Sequence, residues 1–288
     1  MQRIAPTVYV ETAFPGINVG VIATERGIVC VDAPSRPRDA HDWLDQIRRH
    51  FGGPIRYLIL TDHQIDRAFC ASLLHTRCVA HSETQNVLQD YTGRFPASLL
   101  ETMVARYGLT RKELNGATVI HPQISFCDRA TLRLGSHAID LVHVPSATAG
   151  STWVHVPTSH VLFVGDTLVI GQHPPLAEAE ISNWLSALAH LQQDAIKTNI
   201  VVPGRGPLPD QNNIQILATF IETARERVCA LYQAGRPRSE TTSLVPDLVD
   251  FFPPPAPRTE ASVEWLQRQL KAGLDHLYDE CRAGALGR

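Results

Sequence analysis

The sequence predicts an α/β protein in which helices cover the outer faces of β-sheet layers. Near the N-terminus, "INVGVIAT" and "IVCVDA" alternate as half-buried strands do, and residues 25–27 between them predict a β-hairpin. Residues 38–50 follow a proline and place Trp43, Leu44 and Ile47 on one side, which predicts a helix. A buried strand, "IRYLILT", comes next. Because strand, helix and strand alternate at short intervals, we expect layers with the helices outside.

The middle of the chain continues this alternation. "RCVAH" predicts a short strand, and residues 83–115 predict helices with a break near Gly108. Two strand-rich stretches follow, "ISFCDRATLRLGSHAIDLVHVP" and "STWVHVPTSHVLFVGDTLV", with a hairpin turn at 157–160 in the second. The helix "EISNWLSALAHLQQ" and the strand "TNIVVPG" complete this part.

From residue 209 the pattern becomes helical. Apolar residues from Leu217 to Leu231 recur at spacings of four and three, which predicts an amphipathic helix. A proline-rich loop, "FFPPPAPR", precedes a last helix with an apolar stripe from Val263 to Cys281. We therefore expect a main domain at residues 1–208 and a C-terminal helical extension at 209–288 packed on it. The stripes exceed what a solvent-covered appendage needs, which predicts a homodimer contact or a lid.

Composition excludes several classes of protein. With 288 residues, 44% apolar and 19% charged, and a net charge of −3, the chain fits neither a disordered protein nor a nucleic-acid binder. No segment reaches the length of a membrane span, and the first ten residues show no secretory signal. The six cysteines are scattered without a Cys-x-x-Cys pair, which predicts reduced thiols and a cytoplasmic location.

One short stretch carries chemistry. "TDHQIDRAF", residues 61–69, follows a buried apolar run and places one histidine and two aspartates within five positions. Imidazole and carboxylate are common metal ligands, so the stretch has the composition of the start of a metal site. A zinc site would require further histidines, and Gln64 and Arg67 stand where they are expected.

Five landmarks, of which this stretch is one, occur in order along the chain. They are Asp32 after the hairpin, Thr61 to Asp66, Pro145 to Ser151, Gly165-Asp166 and Pro203 to Pro207. Together they resemble the metallo-β-lactamase superfamily across roughly residues 8–208, which is more specific than any one motif. The resemblance implies an αββα sandwich. The stretch "GQHPPLAEAEISNWLSAL" is similar to the branch that hydrolyses lactones and related small esters or amides.

The resemblance also implies a two-metal centre, whose ligand positions are substituted in this chain. The superfamily uses five histidines and two aspartates there. Only Asp66 and Asp166 are retained, and the five histidine positions hold Asp62, Gln64, Arg67, Ala147 and Arg205. A two-zinc centre is therefore not expected, because zinc requires imidazole or thiolate.

The substitutions leave two interpretations of the charge. Asp62, Gln64, Asp66 and Asp166 form an all-oxygen set that could suit one magnesium, calcium or manganese ion. However, arginine is permanently charged, and two guanidiniums at former ligand positions would repel a cation. We therefore expect that Arg67 and Arg205 replace the metal as neutralising charge and lie near Asp66 or Asp166. The competing interpretation directs both arginines into solvent.

Two functions are consistent with this site. The first is a metal-free protein, without a cofactor, that binds a small polar or anionic ligand or a partner protein in the old cleft. Its predicted ligand-binding residues are Asp62, His63, Gln64, Asp66, Arg67, Asp166, His173 and Arg205. The second is a hydrolase of lactone, ester or amide bonds that works without the usual metals or with one divalent ion in a remodelled oxygen-rich site. Its candidate catalytic residues are Asp66 and His63, with Ser146, Thr148 and Cys70 as weaker nucleophile candidates.

Overall fold

The computed structural model describes residues 1–193, 198–210, 212–254 and 258–284, and these form two stacked β-sheets. The first sheet has seven strands in sequence order: β1 (Gln2–Ala5), β2 (Val8–Glu11), β3 (Val19–Thr24), β4 (Gly27–Val31), β5 (Ile55–Ile59), β6 (Arg77–His81) and β7 (Ile124–Phe126). The second sheet has the order β12-β11-β10-β9-β8, formed by β8 (Arg129–Leu134), β9 (His137–His143), β10 (Thr152–Val156), β11 (Val161–Phe163) and β12 (Ile200–Val202).

Strand direction brings the chemical residues to one edge. Strands β4, β5 and β6 pair in parallel, as do β11 and β12 in the second sheet. The carboxyl ends of parallel strands meet at the same edge of a sheet, where sites are commonly found. Asp32 directly follows β4, residues 61–67 follow β5, and Arg205 follows β12. Both sheets therefore contribute residues to a single region.

Helices cover the outer faces of both sheets. In the described residues they are α1 (Pro37–His50), α2 (Ile65–Ala68), α3 (Ser82–Asp90), α4 (Ala97–Tyr107), α5 (Arg111–Asn115), α6 (Ile181–Gln192), α7 (Asn213–Gln233), α8 (Val245–Val249) and α9 (Glu260–Arg282). Aliphatic side chains such as Val29, Ile139 and Val154 fill the space between the sheets. Separate apolar clusters lie beneath the helices on each outer side. The arrangement is an αββα sandwich, as predicted.

The predicted elements are found with small changes at their ends. The hairpin is β3 and β4, the helix after it is α1, and the stretch at 83–115 forms α3, α4 and α5. The break at Gly108 ends α4, because this glycine adopts a φ of 65°, which L-residues rarely adopt. Residues 91–96, between α3 and α4, are also not helical. Of the proline-rich loop at 251–258, residues 255–257 lie outside the described part.

The C-terminal helices share a core with the second sheet's outer face. Leu217 and Phe220 of α7 and Leu274 of α9 belong to the same buried cluster as Trp184 of α6. The predicted stripes are therefore covered largely within one chain. Among the described helices, none has both the length and the apolar character that crossing a membrane requires.

The prediction that all the cysteines are reduced is wrong for one pair. Cys229 of α7 and Cys281 of α9 form a disulfide across a sequence separation of 52 residues. The two cysteines are far apart in sequence, so their spacing does not predict a pair. They meet because α7 packs against α9. Cys30, Cys70 and Cys78 are free and buried, and Cys127 is free and exposed.

Candidate functional site

Arg67 is a buried cation with a carboxylate at each nitrogen. It lies on α2, just after β5, and is 0% exposed. Its Nε donates to Asp32 Oδ2 at 3.2 Å, its Nη1 to Asp62 Oδ2 at 2.5 Å and its Nη2 to Asp166 Oδ1 at 2.8 Å. A planar guanidinium presents its donors in a fixed fork, which suits several carboxylates at once. Arg67 therefore neutralises the centre of the site from within.

Arg205 binds the two retained aspartates from the opposite side. Its Nε donates to Asp166 Oδ1 and Oδ2 at 3.1 and 2.9 Å. Its Nη2 lies 2.8 Å from both Asp166 Oδ2 and Asp66 Oδ2, and 2.9 Å from Gln64 Oε1. The prediction that the arginines lie at salt-bridge distance from these aspartates is confirmed. In contrast to Arg67, one nitrogen of Arg205, Nη1, is buried and has no hydrogen-bond partner among the described residues.

A glycine allows the loop that carries Arg205 to approach so closely. Gly204 N donates to Gly165 O at 2.7 Å, so the loop packs directly on the turn that carries Asp166. A Cβ at position 204 would lie 2.5 Å from the carbonyl carbon of Gly165 and would also overlap the Asp166 carboxylate. Only a residue without a side chain fits between the two loops.

Asp66 has two further partners that the sequence did not reveal. Arg106 Nη1 donates to Asp66 Oδ2 at 2.6 Å, and Tyr107 Oη donates to Oδ1 at 2.7 Å. Both residues are at the C-terminal end of α4. Burial acts to raise the pKa of Asp66, but Arg106, Arg205 and the tyrosine hydroxyl outweigh it and lower the pKa to about 2. Asp66 is therefore an ionised acceptor and not a proton carrier at neutral pH.

The other buried aspartates differ in how their charge is balanced. Burial acts to raise the pKa of Asp166, but the guanidiniums of Arg205 and Arg67 lower it well below its ordinary value. For Asp32 burial dominates and raises the pKa to about 6, because Arg67 offsets it only partly and Asp62 adds repulsion. Asp32 also accepts from Thr61 N at 2.9 Å and from Thr61 Oγ1 at 2.7 Å.

The residues at this site do not fit the metal pair of the superfamily. Among the described residues, no group of three or more His, Cys, Asp or Glu side chains is placed to hold a metal ion. Asp66 and Asp166 accept guanidinium hydrogen bonds at 2.6 to 3.1 Å, so their oxygens face fixed positive charge. A cation placed among Arg67, Arg106 and Arg205 would meet repulsion of several kcal/mol at short range.

A cavity lies above this charged floor. Its volume is about 170 Å³, and α4 and α9 form much of its wall. The guanidinium of Arg106 lies 5.2 Å from the ring of Tyr107 and 4.9 Å from the ring of Trp265 on α9, which joins the two helices across the cavity. Apolar side chains that complete the wall include Leu99, Leu266 and Leu270.

The cavity separates the predicted ligand-binding residues into two groups. His63, Gln64, Asp66, His173 and Arg205 line it. The remaining three, which do not line it, are enclosed in the floor: Asp62, Arg67 and Asp166. Arg106, Trp265 and Glu178 also line the cavity but were not predicted. Two sequence signals lay near them. The apolar stripe of α9 includes Leu266 and Leu270, which line the cavity beside Trp265, and the stretch "GQHPPLAEAEISNWLSAL" contains Glu178.

Two histidines at the cavity each have one ring nitrogen engaged. His63 Nε2 lies 2.8 Å from Glu178 Oε2, and although burial acts to lower the pKa of His63, this carboxylate raises it above its ordinary value. His173 Nε2 lies 3.1 Å from Leu248 O, and burial lowers its pKa. The Nδ1 atoms of both residues are buried without a partner.

The weaker nucleophile candidates are engaged elsewhere. Ser146 Oγ bonds Thr167 Oγ1 at 2.8 Å, and Thr148 Oγ1 bonds Ser151 Oγ at 3.1 Å, both in buried positions. Burial raises the pKa of the Cys70 thiol, which keeps it protonated. None of these three residues lines the cavity.

Comparisons with known proteins agree with this fold. The family model described as "Metallo-beta-lactamase superfamily" matches residues 13–205. A metallo-beta-lactamase family protein from Thermus thermophilus superposes with a TM-score of 0.68 at 17% identity, covering 98% of this chain and 96% of that chain. A metallo-beta-lactamase from Pontibacter korlensis gives 0.62 at 17% identity, covering 77% and 97%.

The family assignment rests on the sequence landmarks together with the family model. No match was found among curated proteins. The identities with the solved structures are low enough that these structures describe the fold alone. The family model, however, spans the first four sequence landmarks and extends into the fifth as far as Arg205. The chain belongs to the metallo-β-lactamase superfamily.

Proposed function

We propose that this protein binds a small polar or anionic ligand in the old active cleft, without a metal ion. The observation that carries the proposal is Arg205. This residue is 2% exposed, occupies a former ligand position, lines the cavity and keeps one buried nitrogen without a partner. A buried donor without a partner costs about 1–3 kcal/mol, and a ligand that accepts from it would remove that cost.

The charge balance supports the metal-free part of the proposal. Four aspartates and three arginines are in direct contact, so the arginines offset most of the negative charge that two metal ions would otherwise neutralise. Elemental analysis of protein purified without chelator should give far less than one zinc, iron or manganese ion per chain. About one ion per chain, lost in an Asp66→Asn variant, would contradict the proposal.

Ligand binding can be tested by filling the cavity. A panel of small carboxylates, phosphate esters, amides and alcohols is screened for an increase in melting temperature, which bound ligand produces by mass action. Leu99→Trp places a large ring in the cavity wall and should abolish every such increase. Val104→Trp is the matched control, because Val104 is on the same helix and is 44% exposed. Increases that persist in Leu99→Trp would show that ligands bind elsewhere.

A second candidate function is hydrolysis of a lactone, ester or amide without metal. The His63–Glu178 pair favours it, because a carboxylate at Nε2 orients the ring of His63, a cavity-lining residue. Its Nδ1 has no partner among the described residues and could act as a general base. Hydrolysis of p-nitrophenyl butyrate by the wild type, with a large loss in both His63→Gln and Glu178→Gln, would support it. A rate equal to that of the His63→Gln variant would refute it.

Assembly and location stay proposals. The case for a homodimer is weaker than the sequence indicated, because the stripes of α7 and α9 pack within the chain. What still supports it is the exposure of three apolar residues on or near α7, namely Ile216, Tyr232 and Phe251. A cytoplasmic location rests on the four free cysteines and is opposed by the Cys229–Cys281 disulfide.

A further inference from the structure

We infer that the ligand is a neutral molecule that carries a carbonyl oxygen and an N–H or O–H group on a small apolar body, as amides and hydroxy-carbonyl compounds do. The inference rests on the proposed function and narrows it. Residues that line the cavity carry buried hydrogen-bonding atoms of both kinds, donors and acceptors, that no described protein atom satisfies. A carboxylate ion supplies acceptors only and cannot match such a wall.

The donors are Arg205 Nη1 and Trp265 Nε1. Both atoms are buried, both residues line the cavity, and neither atom has a partner among the described residues. An arginine nitrogen and an indole nitrogen can only donate, so the ligand must present acceptor oxygen toward them. The ring of Trp265 lies on Arg106, which shares Asp66 with Arg205, so both donors belong to one connected part of the wall.

His173 supplies an acceptor, and its tautomer follows from its other bond. Its Nε2 faces the carbonyl oxygen of Leu248, which can only accept, so Nε2 carries the hydrogen. Nδ1 of the neutral ring is then a lone pair, and it is buried without a partner. His63 follows the same logic while neutral, since Glu178 accepts from its Nε2. The ligand must therefore also donate.

The charge of the floor favours a neutral ligand over an anion. Arg67, Arg106 and Arg205 face four carboxylates, those of Asp32, Asp62, Asp66 and Asp166. An anion would add a fifth negative charge beside three guanidiniums, each of which already contacts at least one carboxylate. Taking that anion out of water carries a desolvation cost that no spare positive charge offsets.

Size and wall chemistry define the rest of the ligand. A volume of about 170 Å³ is below the ~300–1,000 Å³ of typical drug-sized sites, so the ligand is small. Leu99, Leu266, Leu270 and nearby prolines provide apolar wall for a short aliphatic or cyclic body. A six-carbon chain is a suitable probe.

Three probes of nearly equal shape separate the alternatives by calorimetry. Hexanamide offers acceptor and donor, 2-heptanone offers an acceptor only, and hexanoate offers acceptors with a negative charge. Hexanamide should bind tightest, about 2- to 12-fold tighter than 2-heptanone, which corresponds to one net hydrogen bond. Hexanoate should bind weakest. Equal or tighter binding of hexanoate or of 2-heptanone would overturn the inference.

Variants then assign the contacts. Trp265→Phe removes the indole donor and keeps an aromatic ring, and it should weaken hexanamide and 2-heptanone alike by about 2- to 12-fold. Trp43→Phe is the matched control, because Trp43 Nε1 is also buried without a partner but lies in the core beneath α1, away from the cavity. The double change His63→Phe with His173→Phe should remove the preference for the amide over the ketone, and the two single changes show which ring accepts. Equal effects of Trp265→Phe and Trp43→Phe, or a preference unchanged in the double variant, would overturn the inference.

The outcomes also separate this inference from the proposed function. Tight hexanoate binding that is lost in Leu99→Trp would retain the ligand-binding cavity and reject the neutral ligand. Failure of all three probes would reject the neutral ligand, and the cavity itself would then be judged by the wider ligand panel.

Discussion

The two arginines at former ligand positions are in opposite situations. Arg67 has a carboxylate at each of its three nitrogens and does not line the cavity. Arg205 shares its carboxylates with other arginines, lines the cavity and keeps one nitrogen unpartnered. A fully satisfied buried charge contributes to structure, whereas a partly satisfied one at a cavity is available to a ligand. The same residue type thus occurs in two different environments, although both arginines contact Asp166.

Arg67→Met should be the most damaging change. It leaves Asp32 and Asp62 without any cationic partner in a buried site, and we expect a loss of about 3–5 kcal/mol in the free energy of unfolding. Urea denaturation measures this loss. Adding Asp62→Asn removes one of the stranded charges, so the double variant should lose less than the sum of the two single changes. Strict additivity would mean that Arg67 and Asp62 do not interact.

The contributions of Asp32 and Asp66 to stability should depend on pH with opposite signs. The pKa of Asp32, beside Arg67, is raised to about 6. Below about pH 4 the carboxyl is protonated in both the folded and the unfolded state and its ionisation costs no stability. As pH rises from about 4 through about 6, the unfolded state ionises more readily and the fold is destabilised. Stability of the wild type relative to Asp32→Asn should therefore fall by about 3 kcal/mol over that range.

The pKa of Asp66, beside Arg205 and Arg106, is lowered to about 2, so its contribution is fully present above about pH 4 and is lost as pH falls through about 2. The advantage of the wild type over Asp66→Asn should shrink by about 2 kcal/mol on acidification. Urea titrations at several pH values test both slopes. Slopes of the same sign for the two variants would contradict this contrast.

Arg205→Met should cost less than Arg67→Met, because Asp166 keeps Arg67 and Asp66 keeps Arg106. We expect about 1.5–3 kcal/mol, the range for hydrogen bonds to charged groups. Probe binding should also fall in this variant. Arg67→Met, measured at a temperature where it remains folded, should still bind hexanamide. Binding that is lost in Arg67→Met and retained in Arg205→Met would exchange the roles of the two residues.

The smallest effect is expected at the contact between α4 and α9. Trp265→Leu removes the ring on which Arg106 lies and should cost about 1 kcal/mol, since this cation–π contact is largely screened from water. Trp265→Phe keeps a ring and should cost less. Thermal denaturation distinguishes the two variants. A larger loss for phenylalanine than for leucine would show that the contact is not of this kind.

The fold was predictable because it depends on local periodicity and on five landmarks in order. Alternation predicted β3 and β4, and spacings of three and four predicted α7 and α9. The placement of Arg67 and Arg205 near Asp66 and Asp166 was also predictable, because loss of metal charge requires a replacement. These predictions depend either on patterns among residues a few positions apart in sequence or on motifs.

The parts that could not be predicted depend on tertiary packing. Arg106 and Tyr107 reach Asp66 only because α4 lies across the end of the sheet, and the pair has no motif of its own. Trp265 reaches the same site from a helix about 200 residues away in sequence from Asp66. The Cys229–Cys281 disulfide depends in the same way on the packing of α7 against α9.

The loop at Gly204 has a consequence for how such chains are recognised. Its glycine is required by the contact with the backbone of Gly165, and that contact is made here although the histidine that once followed it is now Arg205. Replacement of the residue between the two glycines therefore leaves the Pro-Gly-x-Gly signature in place. A search that uses this signature alone does not distinguish a histidine from Arg205, and the residue between the two glycines is the better diagnostic.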